Sequence, residues 1–352
     1  MYKQVTINIT TLSHLHIGCG EFYTNLDYYI ENGKAKILDI EKMLESLDDI
    51  TKINKIVNLI RSRIRHNRME CNIKDICESM NINPERFILR ELTCKIKKNR
   101  RIQVEKFIQN KNIGYYIPGS SIKGAIRTAY IFDYYDDKEK INELVNILKN
   151  KKIFPHQKGK CVVEKAIGKI ENDFFKYLLI TDSDSIDPSN FEFIETRRYN
   201  LKSKTYGNLE CKEALKSGVK LVFNLTIKEE FPKSFEEIKK ICNNFVKHIA
   251  EFEIKNTKLP RYLKEFYEDK ILGKLNDNEA FLAIGSGSGF LLKSIYILLH
   301  KYNKDLNLIK NLLPKKRNQK IKNYFDFPQT RVIDVEEEKP LGWIKIEKVS
   351  EG

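Results

Sequence analysis

Val5, Ile7 and Ile9 alternate with Thr6, Asn8 and Thr10, the period-two pattern of a strand buried on one face. The alternation stops in LSHLHIGCGEFY, where Gly18 and Gly20 place a glycine loop after the first strand. LDYYIENGKAKILDI predicts a hairpin, because Asn32-Gly33 supplies positive φ between two β-prone runs. From 41 to 111 the pattern is mostly helical and holds no glycine. YYIPGSS then reads as extended chain entering a turn. After it, Ile122, Ala125, Ile126, Ala129 and Tyr130 recur at the spacing of one helical face, with Ser120 or Ser121 as the expected N-cap. A second helix is expected over 139–150, followed by strands in YLLITDSDSI, FEFIETRRYN and KSGVKLVFNLTI. Two helices follow over 235–269. AFLAIGSGSGFLLKSIYILLH repeats the order strand, glycine loop, helix, and PLGWIKIEKV ends the chain as a strand able to rejoin a sheet. Strands interleaved with helices and hairpins predict an α+β fold with an antiparallel sheet and helical decoration. The chain divides into 1–40, a basic helical insertion over 41–112, a strand-bearing continuation of the core over 113–230, and 231–352 with the second glycine loop and the closing strand.

Charge sharpens this picture. The 352 residues carry a net charge of +15, a field that attracts phosphates of nucleic acid or an anionic membrane surface. Between 51 and 112 there are 16 Lys/Arg against 6 Asp/Glu, so most of the excess is local. The seven cysteines form no CxxC pair, which argues against a zinc knuckle or a disulfide framework and for a reducing, cytoplasmic setting. No signal peptide or membrane-spanning run is read in the sequence.

The candidate chemistry lies at the glycine turns. A turn feeding a helix presents unpaired N–H groups and partial positive charge, and so favours anions. In IPGSSIKGAIRTA, Lys123 and Arg127 stand four apart on one helical side, able to clamp phosphates. GSGSGF repeats the arrangement with Gly285, Gly287 and Gly289 and with Lys293 one turn into the expected helix. It matches neither a Walker A loop nor GxGxxG, which disfavours a nucleotide kinase or dehydrogenase. His14 and His16 share a side if the strand continues to them, and histidine can act as acid or base in RNA cleavage through the 2′-hydroxyl. A structural or RNA-contacting role is the better reading. Asp182 and Asp184 in TDSDS have a spacing open to Mg²⁺, yet such density of Asp and Ser is more often a turn. Trp343, the sole tryptophan, is assigned to the core rather than to base stacking.

Together, LHIGCG, IPGSSIKGAIRTA, IGSGSGF, FPQTRVID and PLGWIKI resemble the RAMP superfamily of CRISPR-associated proteins, and more narrowly the fifth subunit of type III-A Csm effector complexes. The resemblance spans Leu15 to Ile346. It implies a ferredoxin-like, RRM-type core elaborated by helical insertions, in a ribonucleoprotein of antiviral defence. It further implies a subunit that caps the backbone near the 3′ end of the CRISPR RNA and takes part in its maturation. Neighbouring backbone subunits, recruited nucleases and, indirectly, target RNA would be its partners, with no cofactor, metal or active site of its own. The RNA contacts it suggests are His16, Gly18, Gly20, Gly119, Ser120, Ser121, Lys123, Arg127, Gly285, Gly287, Gly289, Lys293 and Arg331. An endoribonuclease using His14 or His16 is the alternative. Asp27 lies where related subunits carry a catalytic aspartate, but it runs straight into strand-like sequence and is read as structural.

Overall fold

Val5, Ile7 and Ile9 form the inner row of the strand Tyr2–Thr11, which lies at the middle of a five-stranded sheet. We describe the chain from a computed structural model covering residues 2–47, 49–65, 72–97, 103–110, 112–313 and 321–351. Cys71 and parts of the basic stretch 51–112 lie outside the described residues. The sheet runs in the order Glu279–Ala283, Trp343–Glu351, Tyr2–Thr11, Lys220–Lys228, Leu178–Ile180, and each neighbouring pair is antiparallel. Register sets Ile7 against Phe223 and Ile9 against Ile346, so that the period-two pattern of each strand delivers its apolar row to the same face. The helices Gly119–Tyr135 and Phe235–Lys255 cover that face through Ile122, Ile126 and Ala129 and through Ile238, Phe245 and Ile249. The rings of Phe132 and Phe245 meet 5.1 Å apart between them. Each such side chain contributes roughly 1.5–3 kcal/mol by leaving water.

A second, mixed sheet packs beside the first. Its order is Gly18–Tyr23, Val104–Phe107, Thr205–Leu215, Phe191–Asn200, Ile88–Cys94, Lys34–Leu38, Tyr28–Glu31, with Thr330–Asp334 added to Phe191–Asn200. The hairpin predicted at Asn32-Gly33 is present, with φ of 50° and 73° at its two turn residues. The helical pattern expected through 111 ends earlier. Helices occupy Ile40–Glu45, Ile50–Arg65 and Ile73–Ser79, after which Ile88–Cys94 and Val104–Phe107 enter the sheet. Pairing of the first with Lys34–Leu38 and Phe191–Asn200 and of the second with Gly18–Tyr23 and Thr205–Leu215, and burial of Leu92 and Val104, outweigh the local preference. The architecture is thus α+β, with curled antiparallel and mixed sheets. Residues 231–352 return two strands, Glu279–Ala283 and Trp343–Glu351, to the first sheet. Among the described residues no helix is long and apolar enough to cross a membrane.

Candidate nucleic-acid interface

The helix begins inside IPGSS, at Gly119, with Pro118 and neither serine in the N-cap position. The cap comes from far along the chain: Gly119 N–H donates to Asp182 Oδ1 at 2.8 Å. A Cβ on Gly119 would lie 2.3 Å from the carbonyl oxygen of Ile180 and 2.4 Å from that of Thr181, so only glycine lets the helix start press against that edge strand. TDSDS is therefore a capping turn, with Ser183 Oγ accepting from Ile117 N–H. Moving the cap to Asp182 leaves Ser120 exposed and Ser121 half-buried on the first helical turn.

The glycine loop expected at Gly18 and Gly20 is instead the start of the strand Gly18–Tyr23, and the segment leading into it meets the Gly285–Gly289 loop beside this helix. Ser286 N–H donates to the His16 carbonyl at 2.7 Å, and a Cβ on Gly285 would lie 2.4 Å from that same oxygen. Gly285, Gly287 and Gly289 all have positive φ, between 66° and 93°, which keeps the loop in a path closed to most side chains. The PLGW segment joins them, as Gly342 N–H donates to the His14 carbonyl and accepts from Ile284 N–H through its own carbonyl. Segments separated by hundreds of residues thus share one backbone hydrogen-bond network.

Beside this network opens a cleft of about 480 Å³ lined by Gly18, Ser120, Ser121, Gly285, Ser286 and Lys293, among others. Five of these six were expected from the sequence as contacts; Ser286 was not. Lys293 was expected within a helix, but it closes a short 3₁₀ turn, Leu291–Lys293. Its side chain is exposed and pairs with no carboxylate among the described residues. The floor includes Gly124, an exposed mid-helix glycine with no heavy atom within 4 Å of a notional Cβ. Its presence at a cost of about 1 kcal/mol against alanine is the sequence signal that would have marked this helix face. Lys123 and Arg127 do not line the cleft. They lie towards Asp173, whose carboxylate takes Arg127 at 2.7 Å while the guanidinium also covers the Phe175 ring. Burial pushes the Lys123 ammonium below its ordinary range; Asp173 opposes this and Arg127 adds to it.

The histidines are enclosed. His14 is 1% exposed and His16 0%, so neither imidazole faces the cleft. The strand stops at Thr11, and the chain turns between the two sheets. His14 lies between carboxylates, Nδ1 facing Asp334 at 2.6 Å and Nε2 facing Glu192, with Glu337 at 3.5 Å. Burial alone would lower its pKa, but Asp334 and Glu192 raise it to about 9, so the ring is a buried cation. His16 Nδ1 faces the Glu213 carbonyl and Nε2 lies 3.3 Å from Glu105, whose own carboxyl is held down to about 2 by His16 and Lys212 against burial. His16 does not line the cleft, and its carbonyl is taken by Ser286 N–H, so the contact expected of it from the sequence is not found.

Arg331 is held in a bidentate pair with Glu253, at 2.6 and 3.1 Å. With Gly287 and Gly289 it lines a separate cavity of about 230 Å³. Gly20 has a φ of 85° and lies in the strand Gly18–Tyr23. Asp27 closes a turn by accepting from Thr24 N–H and Oγ1, a structural use. Trp343 is fully buried against Phe266 and Tyr267. The grouping of metal-ligand type found among the described residues, His14 with Glu192 and Glu337, already contains a cation, because Lys95 Nζ lies 2.6 Å from Glu192.

Comparisons with known proteins follow the same outline. The sequence profile of the RAMP superfamily matches residues 8–291. "CRISPR system Cms protein Csm5" of Methanocaldococcus jannaschii is 40% identical over 95% of this chain and 87% of its own length. The protein of the same name from Streptococcus thermophilus is 26% identical over 86% and 84%. Among solved structures, a chain of a Csm-crRNA-target RNA ternary complex of a type III-A CRISPR-Cas system superposes with a TM-score of 0.77 at 20% identity, covering 98% of this chain and all of that one. The crystal structure of T. onnurineus Csm5 gives 0.71 at 19%, over 96% and 99%.

Proposed function

The chain belongs to the RAMP superfamily, and within it to the Csm5 family, and from this we propose that it is the guide-RNA-binding, backbone-capping subunit of a type III-A Csm complex. In this reading it sits near the 3′ end of the CRISPR RNA and takes part in maturing it through recruited nucleases, without an active site of its own. Neighbouring Csm subunits are its protein partners, target RNA is met indirectly, and the cytoplasm suits its free thiols. A ferredoxin-like core is supported by connectivity. Taken in chain order, Tyr2–Thr11, helix Gly119–Tyr135, Leu178–Ile180, Lys220–Lys228, helix Phe235–Lys255 and Trp343–Glu351 make a βαββαβ path whose strands lie in the order 4-1-3-2. Glu279–Ala283 is then an added edge strand.

The observation that carries the reading is the convergence of Gly18, Ser120, Ser121, Gly285 and Lys293 on one open cleft. Glycine backbone, hydroxyls and an unpaired ammonium grip ribophosphate without reading bases, as a protein that must hold any spacer requires. Lys123 and Arg127 extend the grip along the helix, with Gly20, Gly287, Gly289 and Arg331 as supporting positions. The enclosed His14 and His16 weigh against the endoribonuclease alternative, since neither ring has access to a 2′-hydroxyl.

Purified protein should bind single-stranded repeat RNA with log K falling linearly with log salt. It should leave the RNA intact in EDTA. Lys293→Ala should weaken binding about tenfold, since a charged hydrogen bond to phosphate contributes about 1.5 kcal/mol or more. Arg127→Ala should cost less, because Asp173 already engages that side chain. Metal-independent cleavage that disappears in His16→Ala would overturn the non-catalytic assignment.

A further inference from the structure

Lys293 and Thr128 border not only the cleft but also an apolar groove of about 450 Å³, walled by Leu144, Leu148, Val162 and Leu299 with Phe290 and Tyr296 at the glycine-loop end. Phe290 is 41% exposed and stands three residues before Lys293. Its ring is nonetheless fixed, edge-on to Phe327 at 4.9 Å and to Tyr296 at 5.8 Å. Fixed aromatic surface beside an unpaired ammonium is the combination on which single-stranded nucleic acid stacks.

We propose that the groove is a nucleobase subsite: a base of the strand whose phosphates occupy the cleft turns past Lys293 and stacks on Phe290. The inference rests on the RNA reading above and adds to it the place and manner in which a base is held. Continuity selects the occupant, because the two hollows share Thr128 and Lys293, and bases project from the backbone within the reach of one nucleotide. The chemistry of the walls agrees. Aliphatic and aromatic side chains dominate them, and two of the cations on the walls are engaged, Lys158 by the Leu148 carbonyl and Arg127 by Asp173. Such walls bury a base face and leave its hydrogen-bonding edge unread, which matches a guide of arbitrary sequence.

The test uses the purified full chain and a short oligouridine carrying 4-thiouridine, with an abasic oligomer of equal length as control. Wild type should crosslink at Phe290 or Tyr296 and bind oligouridine about tenfold more tightly than the abasic strand, stacking on an aromatic being worth about 1–3 kcal/mol per base. Phe290→Ala should erase both the crosslink and that preference while leaving the salt slope unchanged, and Phe290→Tyr should restore them. The abasic comparison on unaltered protein holds whether or not Phe290→Ala folds. Equal binding of the two oligomers with Lys293→Ala still deleterious would overturn the base subsite and leave the phosphate cleft standing. Failure of wild type to bind either strand would overturn the RNA reading and this inference with it. An acidic amphipathic peptide that fills the groove while RNA stays bound would assign the groove to a protein partner, and would also overturn the inference.

Discussion

Gly119→Ala should lower the stability of the fold by about 3 kcal/mol and weaken RNA binding with it. The methyl group would meet two backbone carbonyls, Ile180 and Thr181, at 2.3 and 2.4 Å, where no side-chain rotation can relieve the clash. Either the helix start or the edge strand Leu178–Ile180 must move, at a cost at the upper end of that seen for overpacked interiors, about 1–3 kcal/mol. The same movement breaks the Gly119–Asp182 cap and shifts Ser120 and Ser121, which line the cleft. Gly124→Ala is the control, five residues further along the same helix. Its Cβ would enter open space, so it should stabilise the helix by about 1 kcal/mol. Any loss of RNA affinity in that variant reports a strand lying against the cleft floor. Urea titrations of both variants decide the matter, and an unperturbed midpoint for Gly119→Ala would refute the close approach.

His14→Leu should cost about 3 kcal/mol at neutral pH, because it strips the central cation from Asp334 and Glu192, both almost fully buried. The pH dependence of the wild type carries the same information. The folded-state pKa of about 9 lies above the unfolded value of 6.5, so the native state holds the extra proton. This contribution is complete below about pH 6.5 and disappears as pH rises through about 9. The wild type should therefore lose stability across that alkaline window while His14→Leu stays nearly flat. On the acid side, Glu105 and Glu192 have lowered pKa values, so their contributions are present above their unfolded pKa and fade as pH falls through the folded one. A wild-type stability unchanged between pH 6.5 and 9 would mean that His14 is neutral in the fold.

Much of the fold is visible in local patterns. The alternation over Val5–Ile9, the turn at Asn32-Gly33, the apolar row from Ile122 to Ala129 and the strand in PLGWIKI each depend on neighbours within a few residues, and each is found where the pattern places it. The strand Thr205–Leu215 has no such local pattern. It carries Gly207 and charged residues, and only its pairing with Phe191–Asn200 and Val104–Phe107 makes it a strand. Phe290, an aromatic directly after a glycine loop, has no periodicity to mark it. The candidate cleft was partly visible: glycines, serines and Lys293 stood out as residue types, but which of them share one surface did not.

What the sequence determined alone was the inventory: which segments alternate, where glycine permits positive φ, how much positive charge the chain must place, and which family it resembles. The tertiary structure decided which charges remain free. Arg127 meets Asp173 across 46 positions, Arg331 meets Glu253 across 78, and His14 meets Asp334 across 320, whereas Lys293, in the lining of the cleft, pairs with no carboxylate among the described residues. A hydrophobic period is set by backbone geometry over a turn or a pleat, and so it can be read from adjacent residues. The partner of a charge depends on distance in space and on exclusion of water, and neither exists until the chain has folded.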